Sequence, residues 1–276
     1  MLPKYNPNNP SLIESLVCFT DILGFSNLIV QSPNRQHGSE LLKKLHTILK
    51  NQYKNMKEMN PHAQFKTFTD NVILAYPIFQ DGEWQSGNLF MSFINYQLEM
   101  TMNGYFLRGG VSFGDYYGDE DFAYGPALIE AYDLESKQAN YPRIILSKEM
   151  VKIVAEYLGY YAEPEEAPQS SYLLKDTDEM VFINYLYALQ EEFEYTQDQD
   201  IYIQNIINHK EIILNSLNMY KDNSKLYSKY EWVAQYHNYY CDQYFQTNML
   251  QQFNLKIWSI ASREFCRIAR NKLILI

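Results

Sequence analysis

Short apolar runs alternate with amphipathic stretches through the first two thirds of the chain. The run Leu16 to Thr20 is apolar or β-branched throughout, which predicts a buried strand that ends at Asp21. Residues 39–59 place leucine and isoleucine at helical spacing, which predicts a helix with one apolar face. Residues 64–76 contain two strand-like runs separated by three polar residues, so we expect a β-hairpin with Asp70 at its tip.

The pattern after the hairpin predicts three further helices and four further strands. The predicted helices cover residues 84–103, 126–137 and 148–157. The predicted strands cover residues 105–113, 143–146, 172–174 and 180–185. Residues 114–125 are expected to form a glycine-rich loop, with part of a hairpin as the alternative, and residues 163–170 a Pro/Glu-rich turn or linker. The order β-α-β-β-α-β followed by α-β predicts an α+β fold, with a ferredoxin-like, antiparallel-rich sheet and helices on one face.

The last third of the chain is rich in tyrosine and asparagine at helical spacing. It predicts a C-terminal helical extension with helices over residues 200–220, 225–244 and 249–274. We therefore divide the chain into a core domain, residues 1–187, and the helical extension, residues 188–276. The tyrosines of the extension are expected to form packing and dimer contacts, and a surface that stacks nucleotide bases is the alternative.

Composition narrows the functional classes. The 276 residues are 46% hydrophobic and 20% charged, which are values of a packed globular protein and exclude a disordered or disulfide-rich chain. The formal net charge of -10 argues against general nucleic-acid binding, because phosphate contacts need clustered Lys and Arg. A nucleoside triphosphate remains compatible with this charge, since a divalent cation and a small local positive field suffice to hold it.

Cysteine, histidine and hydropathy patterns favour a soluble, cytoplasmic protein. Cys18, Cys241 and Cys266 are far apart and odd in number, so we expect buried free thiols in a reducing compartment. The five histidines show no metal-ligand spacing. No stretch is as long and apolar as a membrane helix, and the polar N-terminal residues do not resemble a signal peptide.

Two aspartates are the strongest candidates for chemistry. Asp21 ends the first predicted strand and Asp70 lies at the hairpin tip, and these strands are neighbours in a ferredoxin-like sheet. Each aspartate alone is explained as a turn or cap residue. Together they predict a site for Mg²⁺ or Mn²⁺, which prefer oxygen ligands and relieve the repulsion between paired carboxylates. The carbonyl of Ile22 can add a ligand, and backbone N–H groups of residues 24–27 can hold a phosphate.

Three segments resemble the class III nucleotidyl cyclases. CFTDILGFSNLI is similar to their first metal motif, FKTFTDNVILAY to their central hairpin, and LRGGVSFGDYYG to the strand before their catalytic helix. The resemblance covers residues 16–185 and implies a cyclase catalytic domain over residues 1–187. It implies that Asp21 and Asp70 bind two divalent cations, Mn²⁺ or Mg²⁺, and that Lys66 reads the base. It also implies a homodimer, because the active sites of these enzymes form between two catalytic domains.

The helix after the glycine-rich loop departs from that family. Purine cyclases carry an Asn and an Arg there, whereas YGPALIEAYDLES places Ile129 and Asp133 at the matching positions. Neither side chain can stabilise a phosphorane or hold a ribose oxygen. The departure argues against ordinary adenylate or guanylate cyclase activity.

Several segments, including those that depart from the purine cyclases, resemble another group of cyclases. LRGGVSFG, FAYGPALIEAYDLES, YPRIILS and SKYEWVAQYHNYY look like segments of the pyrimidine cyclases of bacterial anti-phage systems of the Pycsar type. This resemblance implies UTP or CTP as substrate, a cyclic UMP or cyclic CMP product, and a separate effector that reads the product. We expect UTP rather than CTP, since Lys66 can pair with either uracil carbonyl.

Positive charge and substrate contacts must then come from other residues. Arg108 and Arg143 lie on predicted strands beside the site and are candidates for phosphate contact and catalysis. Phe25, Lys66 and Thr67 are candidates for substrate binding, with Lys66 donating to a base carbonyl.

Structural explanations compete with these assignments. Arg108 can instead form a salt bridge at the edge of the sheet, and Lys66 can face solvent. Arg143 can pair with Glu135 or Glu130. Two other functions also remain open. A diguanylate-cyclase-like enzyme is disfavoured because the hairpin tip FTDN lacks the Gly-Gly-acidic sequence of that class, and an inactive nucleotide sensor is the second.

Overall fold

The core of the fold is a mixed, mostly antiparallel β-sheet. The computed structural model describes residues 3–30 and 34–269, and within these ranges the sheet is 9-stranded. The strands are β1 (Ile13–Ile22), β2 (Gln64–Phe68), β3 (Asn71–Pro77), β4 (Leu107–Gly118), β5 (Ala123–Tyr124), β6 (Ile144–Leu146), β7 (Leu173–Lys175), β8 (Val181–Ile183) and β9 (Cys266–Arg267). Their order is β2-β3-β1-β4-β6-β8-β7-β9, and β5 pairs with β4 off this path. β6 runs parallel to β4, and the other pairs are antiparallel.

Helices pack on this sheet and form the extension. They are α1 (Phe25–Val30), α2 (Arg35–Met59), α3 (Glu83–Met102), α4 (Pro126–Asp133), α5 (Lys148–Leu158), α6 (Pro168–Tyr172), α7 (Tyr187–Thr196), α8 (Gln199–Met219), α9 (Ser224–Tyr244) and α10 (Thr247–Gln252). A π-helical segment, Leu134–Gln138, continues α4, and a 3₁₀ turn, Pro164–Glu166, precedes α6. Across the described residues, no helix combines the length and apolarity needed to span a membrane.

The first four strands and their connecting helices follow the predicted β-α-β-β-α-β order. β1 lies between β3 and β4 and is antiparallel to both. In this register Thr20 is opposite Val72, and Asp21 is opposite Arg108. The predicted α+β fold, with an antiparallel-rich sheet and a C-terminal helical extension, is confirmed.

Alternate residues of β1 point to two different parts of the core. Leu16 and Cys18 face the side where α2, α3 and α5 supply the packing residues. Val17 and Phe19 face the opposite side, where α4 packs against β1 and β4. Helices therefore cover both faces of the sheet, and the prediction of one covered face was wrong. Burial on both faces also explains why the run from Leu16 is continuously apolar.

The helical extension shares a core with the far half of the sheet. Trp232, Tyr236 and Tyr240 of α9 are almost fully buried and belong to the same apolar cluster as Phe182 of β8. This burial confirms the predicted packing role of the aromatic residues, whereas a dimer contact through the extension stays a prediction. The predicted domain boundary after residue 187 falls at the start of α7 and also stays a prediction.

The end of the chain differs from the helix predicted over residues 249–274. α10 is short, and the chain then runs irregularly to β9, which pairs with β7 at the edge of the sheet. The side-chain amide of Asn238 on α9 donates to the carbonyls of Ile257 and Ile260. Such tertiary hydrogen bonds hold the segment in an extended path that local helix propensity does not anticipate. Residues 270–274 of that prediction lie outside the described residues.

Two stretches predicted as irregular contain regular structure. β4 continues through Gly118 and pairs antiparallel with β5, so residues 114–125, expected as a loop, belong to a hairpin, which was the alternative for this stretch. β4 stays extended because it pairs with β1 as far as Ile13, so long-range pairing overrides the local signal of the glycines. The predicted linker over residues 163–170 holds the 3₁₀ turn and the start of α6.

The three cysteines are free thiols, as predicted, but they are not all buried. Cys18 in β1 and Cys241 in α9 are buried, whereas Cys266 is exposed. Cys266 differs because it lies on β9, the edge strand of the sheet.

Candidate active site

The two predicted aspartates lie together at one end of the sheet. Asp21 is the last residue but one of β1, and Asp70 lies in the tight turn between β2 and β3. Because β1 pairs with β3, this turn is next to the end of β1, and the backbone N–H of Ile22 donates to Asp70 Oδ2 at 3.3 Å. This contact brings the Asp70 carboxyl group next to the end of β1, and both aspartates line the same cleft.

Local contacts fix the orientation of Asp70. The Thr69 hydroxyl lies 3.0 Å and the Asn71 side-chain nitrogen 3.4 Å from Asp70 Oδ1. Thr69 has a left-handed φ of 56°, which the tight hairpin turn requires. Asp70 is only 5% exposed. The donors from Ile22, Thr69 and Asn71 hold its carboxylate in one orientation.

The aspartates form one wall of a cleft of about 480 Å³. The cleft is lined by Asp21, Ile22, Gly24, Phe25, Ser26, Asn27, Thr69, Asp70, Asn71, Arg108, Tyr132 and Glu135. Its charged lining consists of three carboxylates and one guanidinium, so ionised carboxylates outnumber the cation. A pocket with this excess of negative charge attracts cations.

The crowding of carboxylates raises the pKa of Asp21. Burial is the largest cause, the contact with Asp70 and the charge of Glu135 act in the same direction, and Arg108 opposes them. Burial also raises the pKa of Glu135, while Arg108 and Lys229 of α9 lower it. A divalent cation between the two aspartates would replace their repulsion by attraction.

Arg108 extends from β4 into the cleft. Its Nη2 lies 3.4 Å from Asp21 Oδ2 and 2.5 Å from Glu135 Oε1. The Arg108 side chain is 20% exposed, so part of it stays accessible to a ligand. The salt bridge considered from the sequence is present, and Arg108 also lines the cleft.

The structure separates the residues predicted to bind substrate. Ile22 and Phe25 line the cleft, whereas Lys66 and Thr67 do not. Lys66 lies on β2 opposite Ile73 and is half-buried, and Thr67 is exposed. Contacts from Lys66 and Thr67 to a substrate therefore require a ligand that extends beyond the cleft.

Arg143 does not reach the cleft, and its predicted contact with phosphate is wrong. The residue is 1% exposed, and its guanidinium pairs with Asp176 and Asp178 in the turn between β7 and β8. It also lies over the ring of Trp232, with 5.5 Å from Cζ to the ring centre. The alternative prediction of a structural ion pair is correct, but the partners are Asp176 and Asp178 and not Glu135 or Glu130. Arg143 is a buried structural residue.

α4 offers no hydrogen-bond donor at the two positions that depart from the purine cyclases. Ile129 is 65% exposed, and Asp133 forms an ion pair with Lys137 at 2.8 Å. The same region instead places Tyr132 and Glu135 in the cleft. Neither residue was predicted as a cleft residue. For Glu135 the reason is that the π-helical segment in which it lies has no sequence signal.

The donors of the cleft fit a divalent cation that also binds substrate. Within residues 3–30 and 34–269, no group of three or more His, Cys, Asp or Glu side chains forms a metal site. Asp21 and Asp70 supply two carboxylates, and Ile22 lines the cleft beside them. Mg²⁺ is commonly held by one or two carboxylates, with substrate phosphates and water completing its shell. The cleft therefore suits a cation that arrives with a phosphorylated ligand.

Comparison with known proteins finds matches among solved structures. No protein-family model matches the chain, and no curated protein matches it. The adenylyl cyclase CyaB from P. aeruginosa is 16% identical, covering 63% of this chain and 93% of that chain, with a TM-score of 0.42.

Two further solved structures are similar at the same level. The guanylyl cyclase domain of the RhoGC fusion protein from Blastocladiella emersonii is 14% identical, covering 62% of this chain and 94% of that chain, with a TM-score of 0.44. A class III adenylyl cyclase-like ATP-binding protein from Pseudomonas aeruginosa is 11% identical, covering 53% and 36%, with a TM-score of 0.41. We draw no functional conclusion from similarities at this level and base the proposed function on the geometry of the cleft.

Proposed function

We propose that the protein is a divalent-cation-dependent nucleotidyl cyclase that converts a pyrimidine nucleoside triphosphate into its 3′,5′-cyclic nucleotide and pyrophosphate. The observation that carries the proposal is that Asp21, Asp70 and Arg108 line one cleft, where the backbone N–H of Ile22, the residue after Asp21, donates to Asp70. Two carboxylates beside one guanidinium favour a complex of cation and phosphate over either ion alone.

The residues of the cleft have separate proposed tasks. Asp21, Asp70 and the carbonyl of Ile22 would hold two divalent cations, Mn²⁺ or Mg²⁺. When bound, the cations supply the charge that activates the ribose 3′-hydroxyl and neutralises the triphosphate. The Ile22 N–H and the Thr69 hydroxyl keep Asp70 oriented for this task. Arg108, beside Asp21, is placed to donate to oxygens of the phosphate under attack.

The preference for a pyrimidine is supported by the sequence resemblance and by α4. Ile129 and Asp133 replace the Asn and Arg of purine cyclases, and neither can act as a donor to the substrate. Lys66 is proposed to donate to a carbonyl of the base, and the Thr67 hydroxyl and the Phe25 ring to add further contacts. UTP is proposed before CTP because both uracil carbonyls accept a hydrogen bond from a lysine.

A second copy of the chain is proposed to complete the site. Lys66 lies outside the cleft, and its pairing with Ile73 puts Lys66 and Phe68 on the face of the sheet against which α4 packs. Phe68 and the α4 residues Ile129 and Tyr132 are 79%, 65% and 50% exposed. Large exposed apolar side chains gathered on one side favour an interface. Light scattering on the purified protein tests the homodimer. Phe68→Glu is expected to give a monomer with little activity, and a wild-type monomer with full activity would reject this part of the proposal.

Incubation with each of the four ribonucleoside triphosphates and Mn²⁺ tests the activity. Pyrophosphate and cyclic UMP are expected from UTP. Asp21→Asn and Asp70→Asn are each expected to lower turnover by about 100-fold or more without unfolding the protein. Asp115→Asn is the matched control, since it removes an exposed carboxylate opposite Glu14 at the other end of the β1–β4 pair. Full activity in Asp21→Asn or Asp70→Asn would reject the site.

A second candidate is a nucleotide sensor of the same fold without turnover. Ile129 is apolar and Asp133 is already paired with Lys137, so neither of these two positions of α4 provides a donor to a pentavalent phosphate. Calorimetric titration with UTP and Mn²⁺ separates the candidates, because binding without pyrophosphate release supports the sensor. Turnover of ATP instead of UTP would indicate a purine (adenylate) cyclase.

The product is proposed to act as a second messenger in cytoplasmic anti-phage defence. A separate effector with a cyclic-nucleotide site would read it. Bacteria that carry the gene with its neighbours can be challenged with phage. Protection is expected with the wild type and is expected to be lost with Asp70→Asn. Equal protection by both would reject a role for the product in defence.

A further inference from the structure

Glu135 is a buried carboxylate in the cleft that has no task in the proposed chemistry. Its side chain is 5% exposed, against 24% for Asp21. Both residues contact the same nitrogen of Arg108, at 2.5 Å for Glu135 Oε1 and 3.4 Å for Asp21 Oδ2. Arg108 is therefore closer to Glu135 than to Asp21, while its Nη2 donates a long hydrogen bond to Asp21.

Backbone packing fixes Glu135 next to Arg108. Glu135 belongs to the π-helical segment, and the preceding Leu134 contacts β4 at Gly110. A Cβ on Gly110 would lie 2.4 Å from the Ala131 carbonyl oxygen and 2.5 Å from Leu134 Cβ, so only glycine permits this close approach. Arg108 is on the same face of β4 two residues earlier. The segment thus has little freedom to carry Glu135 away from Arg108.

α9 of the extension lies on the other side of this ion pair. Tyr230 packs edge-on against Phe106 just before β4, with ring centres 5.1 Å apart. The neighbouring Lys229 is half-buried. Burial and the charge of Arg108 lower the pKa of Lys229, and the charge of Glu135 raises it. The positive charges of Arg108 on the sheet and Lys229 on the extension both lower the pKa of Glu135.

We propose that Glu135 is a positioning residue for Arg108 that draws the guanidinium away from Asp21 and leaves the Asp21 carboxylate available to a divalent cation. The inference rests on the proposed metal-binding role of Asp21 and Asp70. Without the charge on Glu135, Arg108 pairs fully with Asp21, since a guanidinium and a carboxylate at contact distance attract strongly. The cation then has to displace Arg108 before it can bind.

Glu135→Gln tests the proposal because it keeps the size of the side chain and removes its charge. Mn²⁺ binding to nucleotide-free protein is measured by calorimetry for the wild type, Glu135→Gln, Arg108→Met and the double variant. Glu135→Gln is expected to weaken Mn²⁺ binding about 10-fold when Arg108 is present and less than about 3-fold in the Arg108→Met background.

Three outcomes would overturn the proposal. Equal weakening in both backgrounds would show that Glu135 acts only as a distant charge and not through Arg108. Unchanged binding in Glu135→Gln would show that it has no role. A wild-type protein that binds no Mn²⁺ would remove the cation that the positioning serves.

Turnover measurements separate a positioning role from a structural one. In Glu135→Gln the Mn²⁺ concentration for half-maximal activity is expected to rise about 10-fold, while kcat at saturating Mn²⁺ stays within about 3-fold of the wild type. A fall in kcat that added Mn²⁺ does not restore would contradict the proposal. Glu130→Gln is the control, since Glu130 is an exposed carboxylate of α4 outside the cleft, and it is expected to leave both values unchanged.

If the proposed cyclase activity is absent, the measurements would give a different combination of results. A protein that turns over none of the four ribonucleoside triphosphates, but whose Mn²⁺ binding depends on Glu135 only when Arg108 is present, would reject the cyclase activity and support the positioning role.

Discussion

Two arginines at neighbouring strands of the same sheet have very different surroundings. Arg143 directly precedes β6, is 1% exposed, and pairs with Asp176 and Asp178. Arg263 adds a second cation to Asp176 at 2.5 Å, so two arginines face two aspartates. Every charge in this cluster has a partner, and three aromatic rings lie within 6 Å of the Arg143 guanidinium carbon.

The cluster around Arg108 is not balanced in this way. Arg108 on β4 is 20% exposed and is shared between Asp21 and Glu135, and Asp70 lines the same cleft. A buried charge without a partner is costly, so a protein keeps such an arrangement only where a ligand completes it. Charge balance, rather than residue type, is therefore what separates the surroundings of Arg143 from those of Arg108.

The largest expected effect is the loss of the balanced cluster. Arg143→Met leaves the buried Asp176 with Arg263 as its counterion and removes the arginine that pairs with the partly exposed Asp178, and we expect the free energy of unfolding to fall by about 3–5 kcal/mol. Urea unfolding followed by tryptophan fluorescence measures it. Arg108→Met is the matched substitution, and its effect is expected to be less than about 2 kcal/mol because Arg108 is partly exposed and Lys229 still faces Glu135. Equal losses in the two variants would contradict the comparison.

A third buried polar cluster lies in the extension, and its groups are paired by hydrogen bonds between neutral side chains and not by opposite charges. His209 and His237 are 0% exposed and stack with ring centres 5.1 Å apart. His237 Nε2 must donate to the carbonyl of Leu255, so His237 Nδ1 accepts from His209 Nδ1. His209 Nε2 is then free to accept from the Tyr185 hydroxyl. Both imidazoles are neutral in this network.

This pair predicts a loss of stability in acid. Burial lowers the pKa of His209 well below its ordinary value and that of His237 to about 4, with Lys210 and Lys256 also opposing protonation of His237. The unfolded chain takes up protons below about pH 6.5, whereas the folded chain does not until lower pH. The free energy of unfolding is therefore expected to fall by about 1.4 kcal/mol per pH unit for each histidine as the pH drops from about 6.5 towards 4.

Urea unfolding between about pH 7 and 5 measures the slope of this dependence. His209→Gln is expected to reduce the slope, because one buried imidazole is removed. His62→Gln, at an exposed position, is expected to leave it unchanged. The same slope in all three proteins would contradict the assignment and attribute the pH dependence to carboxylates.

The sequence predicted the features that depend on local patterns. The apolar run of β1, the short turn around Asp70 and the pairing expected of a ferredoxin-like order brought Asp21 and Asp70 together. The periodicity of α2 and α9 predicted these helices to within a few residues.

The sequence did not predict features that depend on distant partners. Arg143 pairs with Asp176 and Asp178, which are 33 and 35 residues away in the sequence. No local sequence pattern links Arg143 to the turn that holds these two aspartates. Glu135 enters the cleft because a π-helical turn changes its direction, which helical periodicity does not anticipate.

A smaller effect is expected from a neutral partner of the balanced cluster. The indole N–H of Trp232 donates to Asp176 Oδ2 at 2.8 Å. Trp232→Phe keeps an aromatic ring but removes this donor, and the free energy of unfolding is expected to fall by about 1–3 kcal/mol. Trp258→Phe is the control, since the Trp258 side chain also donates a hydrogen bond but is 57% exposed, and it is expected to cost less than about 0.5 kcal/mol. Similar losses in both would show that the Asp176 contact contributes little.

The smallest expected effect has the opposite sign. Asp21→Asn removes one of the three carboxylates in the cleft lining, and the ion pair of Asp21 with Arg108 is long at 3.4 Å. In buffer with EDTA the free energy of unfolding is expected to rise by about 1 kcal/mol, because repulsion from Asp70 and the burial of a charge are both relieved. Added Mn²⁺ is expected to stabilise the wild type more than the variant, since a ligand that binds only the folded state shifts unfolding. A destabilised variant would mean that Asp21 is already balanced like Arg143, and a cleft without excess charge would have no reason to recruit a cation.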